Sequence, residues 1–336
     1  MKILVTGGQE FQAAAVCSAV MAERDARVVY LAQSNDASAF NDLALSPRFS
    51  GYQPDLADAA AMMDILKFEQ PDAVIQLAGD DDAGHFQPLL AAVLGYWSDL
   101  AKGRKGAFRF VHAWTRNRGY LRDYGASELL LASHAISNGL PGVSVKCDAG
   151  FGPYQLPNAD LPLWITNAIL GRDMTVTNLG LAHTSRLHVD DIARGLVLAA
   201  LRGMPGRRYE LTSPTDASDL EIAHRLCEIL DAKCPRGDSV PHISSISMED
   251  GDICASIDVE RTGPRLAPLD GWKPEVDFWE GLEKTVEWYV EQSAWWLRLR
   301  LAVVAQDPEN NAANRNPEHE ATQRDAKRRK RHGAKV

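Results

Sequence analysis

The first residues whose types and spacing could do chemistry are Gly7, Gly8, Glu10 and Ala13, in Met1-Lys2-Ile3-Leu4-Val5-Thr6-Gly7-Gly8-Gln9-Glu10-Phe11-Gln12-Ala13. The segment reads as a buried strand running into a glycine turn and then a helix. Such a turn cradles a diphosphate on backbone N–H groups at the helix N-terminus. It needs small residues at the turn, at the approach to phosphate and at the helix–strand contact. Gly7 meets the first need, and Ala13 is tolerable at the third. Glu10 stands at the second, with a side chain and a negative charge where phosphate would rest. Two unit charges about 4 Å apart repel by about 1 kcal/mol in water and about 4 kcal/mol at an effective dielectric near ~20. Glu10 would therefore weaken diphosphate binding by roughly one to three powers of ten.

Other clusters that look chemical read first as structure. Asp80-Asp81-Asp82 with His85 is a solvated loop at a strand's carboxyl end, because consecutive residues cannot all converge on one ion; no metal is expected. Among His183, His188, Asp190 and Asp191, one of the two aspartates is expected to cap the following helix. Trp288, Trp295 and Trp296 fall on one apolar C-terminal helix, with core or interface packing as their role. The run Lys327-Arg328-Arg329-Lys330-Arg331-His332 leaves two readings open. One is contact with nucleic acid, an anionic membrane or an acidic partner; the other is a solvated tail with no specific ligand.

The elements that must position these residues follow from the pattern of the chain. Strand-like runs fall at 3–5, 27–31, 73–77, 108–112 and 143–147, and stretches with helical spacing at 11–23, 57–68, 88–102 and 124–138. Strands spaced by helices imply right-handed crossovers and an α/β fold, a Rossmann-type doubly wound parallel sheet with helices on both faces. After about Gly150 the rhythm loosens, with helices near 161–170, 190–202 and 220–231. The expected organisation is a Rossmann-type domain over 1–150, a smaller C-terminal α/β lobe over 151–305 interleaved with it, and a disordered basic tail over 306–336. The tail is too polar to offset ~1–2 kcal/mol per residue of backbone ordering.

Composition narrows the function classes. With 336 residues and 45% hydrophobic content, the chain can bury a large core. A net charge of −9 argues against a general nucleic-acid binder. From Gln306 on there are eight Lys/Arg against five Asp/Glu, so the tail is +3 and the rest −12. The five cysteines, Cys17, Cys147, Cys227, Cys234 and Cys254, are scattered without metal spacing, which fits free thiols in a reducing cytoplasm. The sequence has no signal-peptide pattern and no segment apolar enough to span a bilayer, so a cytoplasmic location is expected.

Six stretches carry a specific resemblance. They are the first eight residues; Gln70-Pro71-Asp72-Ala73-Val74-Ile75-Gln76-Leu77-Ala78; Tyr124-Gly125-Ala126-Ser127; Gly152-Pro153-Tyr154 with Pro157; Leu187-His188-Val189-Asp190-Asp191-Ile192-Ala193-Arg194-Gly195-Leu196; and Gly271-Trp272-Lys273-Pro274 leading to Trp288-Tyr289. In this order, over roughly 1–296, the chain resembles the extended short-chain dehydrogenase/reductases and, within them, the dTDP-glucose 4,6-dehydratases.

The resemblance implies NAD as cofactor, held through Gly7, Gly8, Phe11 and the pair Asp55-Leu56, with Glu10 opposing. The family's acidic residue at the tip of the second strand has no counterpart, since Ala32-Gln33-Ser34-Asn35 stand there. The resemblance also implies catalysis by Thr115 and Tyr124 with a lysine four residues on. That position is Glu128, and a carboxylate one helical turn away is expected to raise the phenol's pKa. Arg116-Asn117 replace the family's Asp-Glu pair and cannot transfer its protons. Only residues 118–123 remain of a long loop. The family's diphosphate-gripping positions read Gly150, Ala159, Thr184-Ser185-Arg186 and Asp252-Ile253-Cys254, with Arg186 shifted by two.

Four losses together imply a member with a degenerate active site, with NAD binding weak or absent. The expected role is a non-catalytic partner or regulatory subunit linked to nucleotide-sugar metabolism. The family's dimer helices keep Leu89, Leu90, Val93, Leu94, Trp97, Leu129, Leu130 and Leu131, which would serve a homodimer or a heterodimer with an active relative. Two alternatives stay open: an active NAD-dependent dehydratase or epimerase with relocated catalytic groups, and a scaffold using its basic tail.

Overall fold

A computed structural model describes residues 1–32, 38–77, 83–115, 124–158, 160–177, 180–235, 246–249 and 266–306. The readings made of residues 33–36, 80–82, 116–123, 159, 252–254 and the tail 307–336 lie outside the described residues.

The first half of the chain alternates strand and helix. In order come β1 (Lys2–Gly7), α1 (Glu10–Ala22), β2 (Arg27–Leu31), α2 (Asn41–Ala44), β3 (Phe49–Tyr52), α3 (Ala59–Glu69), β4 (Ala73–Leu77), α4 (Ala83–Asp99), α5 (Lys102–Lys105), β5 (Arg109–Thr115), α6 (Tyr124–Asn138) and β6 (Gly142–Cys147). Then follow β7 (Ala149–Phe151), α7 (Asp160–Ile169), β8 (Met174–Thr177), β9 (Arg186–His188), α8 (Val189–Arg202), β10 (Arg208–Leu211), α9 (Asp219–Lys233), β11 (Ile246–Glu249), β12 (Ala267–Pro268), α10 (Phe278–Glu291) and α11 (Ser293–Gln306).

Eight strands form one parallel sheet in the order β12-β10-β6-β5-β4-β1-β2-β3. Alternate residues of each strand face opposite sides. Ile3, Val5, Val111 and Val145 pack with α1 and α8, while Leu4, Val74 and Phe110 pack with α3, α4 and α6. The doubly wound parallel sheet expected from the sequence is thus the observed fold. The second half of the chain adds β10 and β12 to the sheet edge and α8 to one face. It also builds its own apolar cluster from α7, α9, α10 and Trp296. The strand order reverses at β1, which β2 and β4 flank. This opens a crevice at the carboxyl ends of β1 and β4.

Three expectations are corrected. The tryptophans do not share one helix: the chain breaks at Gln292 between α10 and α11, and the Trp296 indole turns back to donate to the Tyr289 carbonyl at 2.7 Å. Neither aspartate caps α8. The cap is His188, whose Nδ1 accepts from the Asp190 N–H at 3.3 Å; burial holds its pKa down, so the ring keeps a free lone pair. Asp191 turns inward instead, because donors wait there. It accepts from the backbone N–H groups of Glu275 at 2.8 Å and Val276 at 3.1 Å, and from Arg194. Finally, Leu89, Leu90, Val93 and Leu131 belong to the protein's own core, whereas Leu129 and Ile136 on α6 are 71% and 86% exposed.

Asp191 is fully buried, so removing its carboxylate strands two backbone donors and leaves Arg194 with Glu275 as its remaining carboxylate partner. Asp191→Ala is expected to lower unfolding free energy by about 2–4 kcal/mol. Urea denaturation reads this directly, and a loss under about 0.5 kcal/mol, the scale of an ordinary surface substitution, would refute the anchoring role.

Candidate functional site

The crevice begins at the glycine turn. Gly7 and Gly8 adopt φ of 78° and 70°, open to glycine at little cost. A Cβ on Gly7 would stand 2.2 Å from the Leu77 carbonyl oxygen, and one on Gly8 would stand 2.6 Å from Leu77 Cβ. The turn is therefore pressed against the end of β4. Helix α1 starts from Gln9 with no side-chain cap, and its first turn closes with the Gln12 N–H donating to the Gln9 carbonyl at 3.0 Å. Glu10 opens α1, where a carboxylate suits the helix dipole. It is half-buried, and after burial its charge is the next cause holding the Tyr30 phenol up. Phe11 is buried, with its ring on Gly150.

Asp55 is exposed and uses its carboxylate on the Ala57 N–H at 2.9 Å, while Leu56 is buried among α3 and α4. Arg186 is buried, paired with Asp219 at 3.0 Å and lying over the Trp164 ring. It is thus spoken for by the smaller lobe. Thr115 ends β5 beside Cys147, and Tyr124 is the first residue of α6, its side chain outside those described.

The sequence reading missed a row of polar side chains that crosses the sheet under α6. Thr6, Gln76, His112, Ser144 and Arg208 are direct neighbours in register on five adjacent strands. The first four are buried. Gln76 donates its amide N–H to the Leu77 carbonyl at 3.1 Å and offers its oxygen to His112 Nδ1. That fixes the tautomer: Nδ1 carries the proton, and Nε2 accepts from the Ser127 hydroxyl at 3.1 Å. Burial lowers the His112 pKa to about 3. A polar residue in the middle of an apolar strand was the available signal for both Gln76 and His112.

Glu128 departs from expectation. Its carboxylate is not a lone charge beside Tyr124. It takes Arg208 Nε at 2.5 Å and Nη2 at 2.6 Å, and the Ser144 hydroxyl at 2.7 Å. A bidentate guanidinium compensates the charge that was to raise the phenol's pKa, because β10 brings Arg208 to this face of the sheet. Among the described residues no group of three or more His, Cys, Asp or Glu could hold a metal ion, and no helix is long and apolar enough to cross a membrane.

The model of the "NAD dependent epimerase/dehydratase family" matches residues 3–89 and 111–212. The chain is 28% identical over 344 residues to dTDP-glucose 4,6-dehydratase 1 of Escherichia coli K12, covering 88% of this chain and 94% of that protein. A probable dTDP-glucose 4,6-dehydratase of Sinorhizobium fredii is 29% identical over 343 residues, with 89% and 96% covered. Among solved structures, the Bacillus anthracis dTDP-glucose 4,6-dehydratase in complex with NAD superposes with a TM-score of 0.70 at 19% identity, over 89% of this chain and 99% of that one. That of Streptomyces venezuelae, also with NAD, reaches 0.69 at 22%, over 88% and 99%. At such identities the likeness is one of fold.

His112 sets a testable pH dependence. The folded ring stays neutral down to about pH 3, whereas an unfolded histidine takes its proton near pH ~6.5. Between these values the unfolded state binds the extra proton, so stability declines as the pH is lowered, by up to about 1.4 kcal/mol per unit from this group. His112→Gln is expected to flatten the decline between pH 6.5 and 4 relative to wild type, measured by urea denaturation at each pH. Equal slopes would refute a buried neutral imidazole.

Proposed function

Since the chain belongs to the NAD dependent epimerase/dehydratase family, we propose that it is a member that has given up catalysis and serves as a partner or regulatory subunit linked to nucleotide-sugar metabolism. The observation that carries this reading is Glu128. Four residues after Tyr124, where the family resemblance calls for a lysine, stands a carboxylate committed to Arg208 and Ser144. A carboxylate in that bond set cannot supply the cation that would make a phenol a base near neutral pH.

The cofactor implied by the family fits by shape and not by charge. The glycine turn and the uncapped start of α1 suit a diphosphate, while Glu10 brings a negative charge to the same first helical turn. A partner role draws support from α6, where Leu129 and Ile136 are exposed and Leu130 is half-buried.

Calorimetry, a turnover assay and light scattering test the reading. Calorimetry of the full chain with NAD should give a Kd weaker than about 10 µM, about −7 kcal/mol, with no turnover of dTDP-glucose. Tighter binding together with turnover would overturn it. Glu10→Gly should tighten NAD by roughly ten- to a thousandfold; an unchanged Kd would clear Glu10 of blame. Size-exclusion with light scattering at micromolar concentration should give a dimer, alone or with an active relative. A clean monomer under both conditions would remove the partner role.

A further inference from the structure

The polar row ends at Arg208, and there the geometry is that of a built clamp. Both carboxylate oxygens of Glu128 meet the guanidinium fork, and Ser144 adds a third hydrogen bond. The Trp114 indole donates to Ser144 at 3.0 Å, so the chain of bonds runs from the end of β5 through β6 to α6 and β10. The Glu128 and Arg208 side chains are only 13% and 26% exposed. A pair so shielded, bidentate and further hydrogen-bonded is unlike an exposed ion pair, whose worth is near zero. Glu128 sits in the first half of α6, and Arg208 comes from a strand 80 residues away in sequence.

We infer that Glu128 and Arg208 form one co-adapted ion-pair staple that has taken over the lysine position and seats α6 on the sheet, with Arg208 as its positioning residue. This rests on the reading that position 128 is not catalytic. The staple has a consequence for any attempt to repair the site. A lysine at 128 alone would face the Arg208 guanidinium in a half-shielded place, so the repair requires a change at 208 as well. The cation and the carboxylate can trade places because both ends of the pair lie on fixed elements, a helix and a strand.

A double-mutant cycle with Glu128→Gln, Arg208→Gln and both together tests the coupling by urea denaturation. The expected coupling is ~10- to 100-fold in the folding equilibrium constant, and most of it should survive in ~0.5 M salt because the pair is shielded. Glu128→Lys should destabilise, and Glu128→Lys with Arg208→Glu should recover at least tenfold of that loss. Amide exchange in Arg208→Gln should quicken across residues 124–138 more than across α1, which a merely global loss of stability would not do. Additive losses in the Gln cycle, coupling abolished by salt, or uniform exchange would each overturn the staple. Tight NAD binding with turnover would end the non-catalytic reading while leaving the coupling measurement intact, so the two failures are distinguishable.

Discussion

Five neighbouring strands carry a polar side chain at the same level of the sheet, and α6 bonds to three of them, His112, Ser144 and Arg208. Such groups are costly in an apolar interior unless each finds a partner. Here Gln76, His112 and Ser127 complete one another, and Ser144, Arg208 and Glu128 do the same one strand further on. An apolar helix face slides over a sheet with little penalty, whereas directional bonds tolerate one placement. The seat of α6 depends on these bonds.

Shape and charge have parted company around the crevice. The glycine turn, the reversal of strand order and the uncapped helix start are those of a nucleotide-binding sheet. The charged groups tell another story. Glu10 suits the dipole of α1 and lies near enough to Tyr30 to bias its phenol. Glu128 is matched by an arginine. Neither carboxylate is an unaccommodated injury.

The fold was legible where local pattern dominates. The runs at 27–31 and 73–77 are short, apolar and rich in Val, Ile and Leu, and both coincide with β2 and β4. The bounds of α6 were legible as well. Arg208–Leu211 was not, because Arg and Glu alternate with Tyr and Leu in only four residues, too few for a period to emerge. The site was half legible for a related reason. A sequence shows that a carboxylate stands one helical turn from Tyr124, but register between β6 and β10 decides what meets it. Likewise Asp191 looked like a helix cap from its position, and only the return of the chain at Glu275 and Val276 reveals what it binds.

The crowding of Gly7 against β4 bears on how such chains are recognised at all. Its carbonyl neighbour belongs to the protein, not to a ligand, and any side chain would collide with it before a nucleotide entered the question. Selection for folding alone would therefore preserve this glycine. A fingerprint taken as the mark of a cofactor is here also the mark of two backbones in close passage.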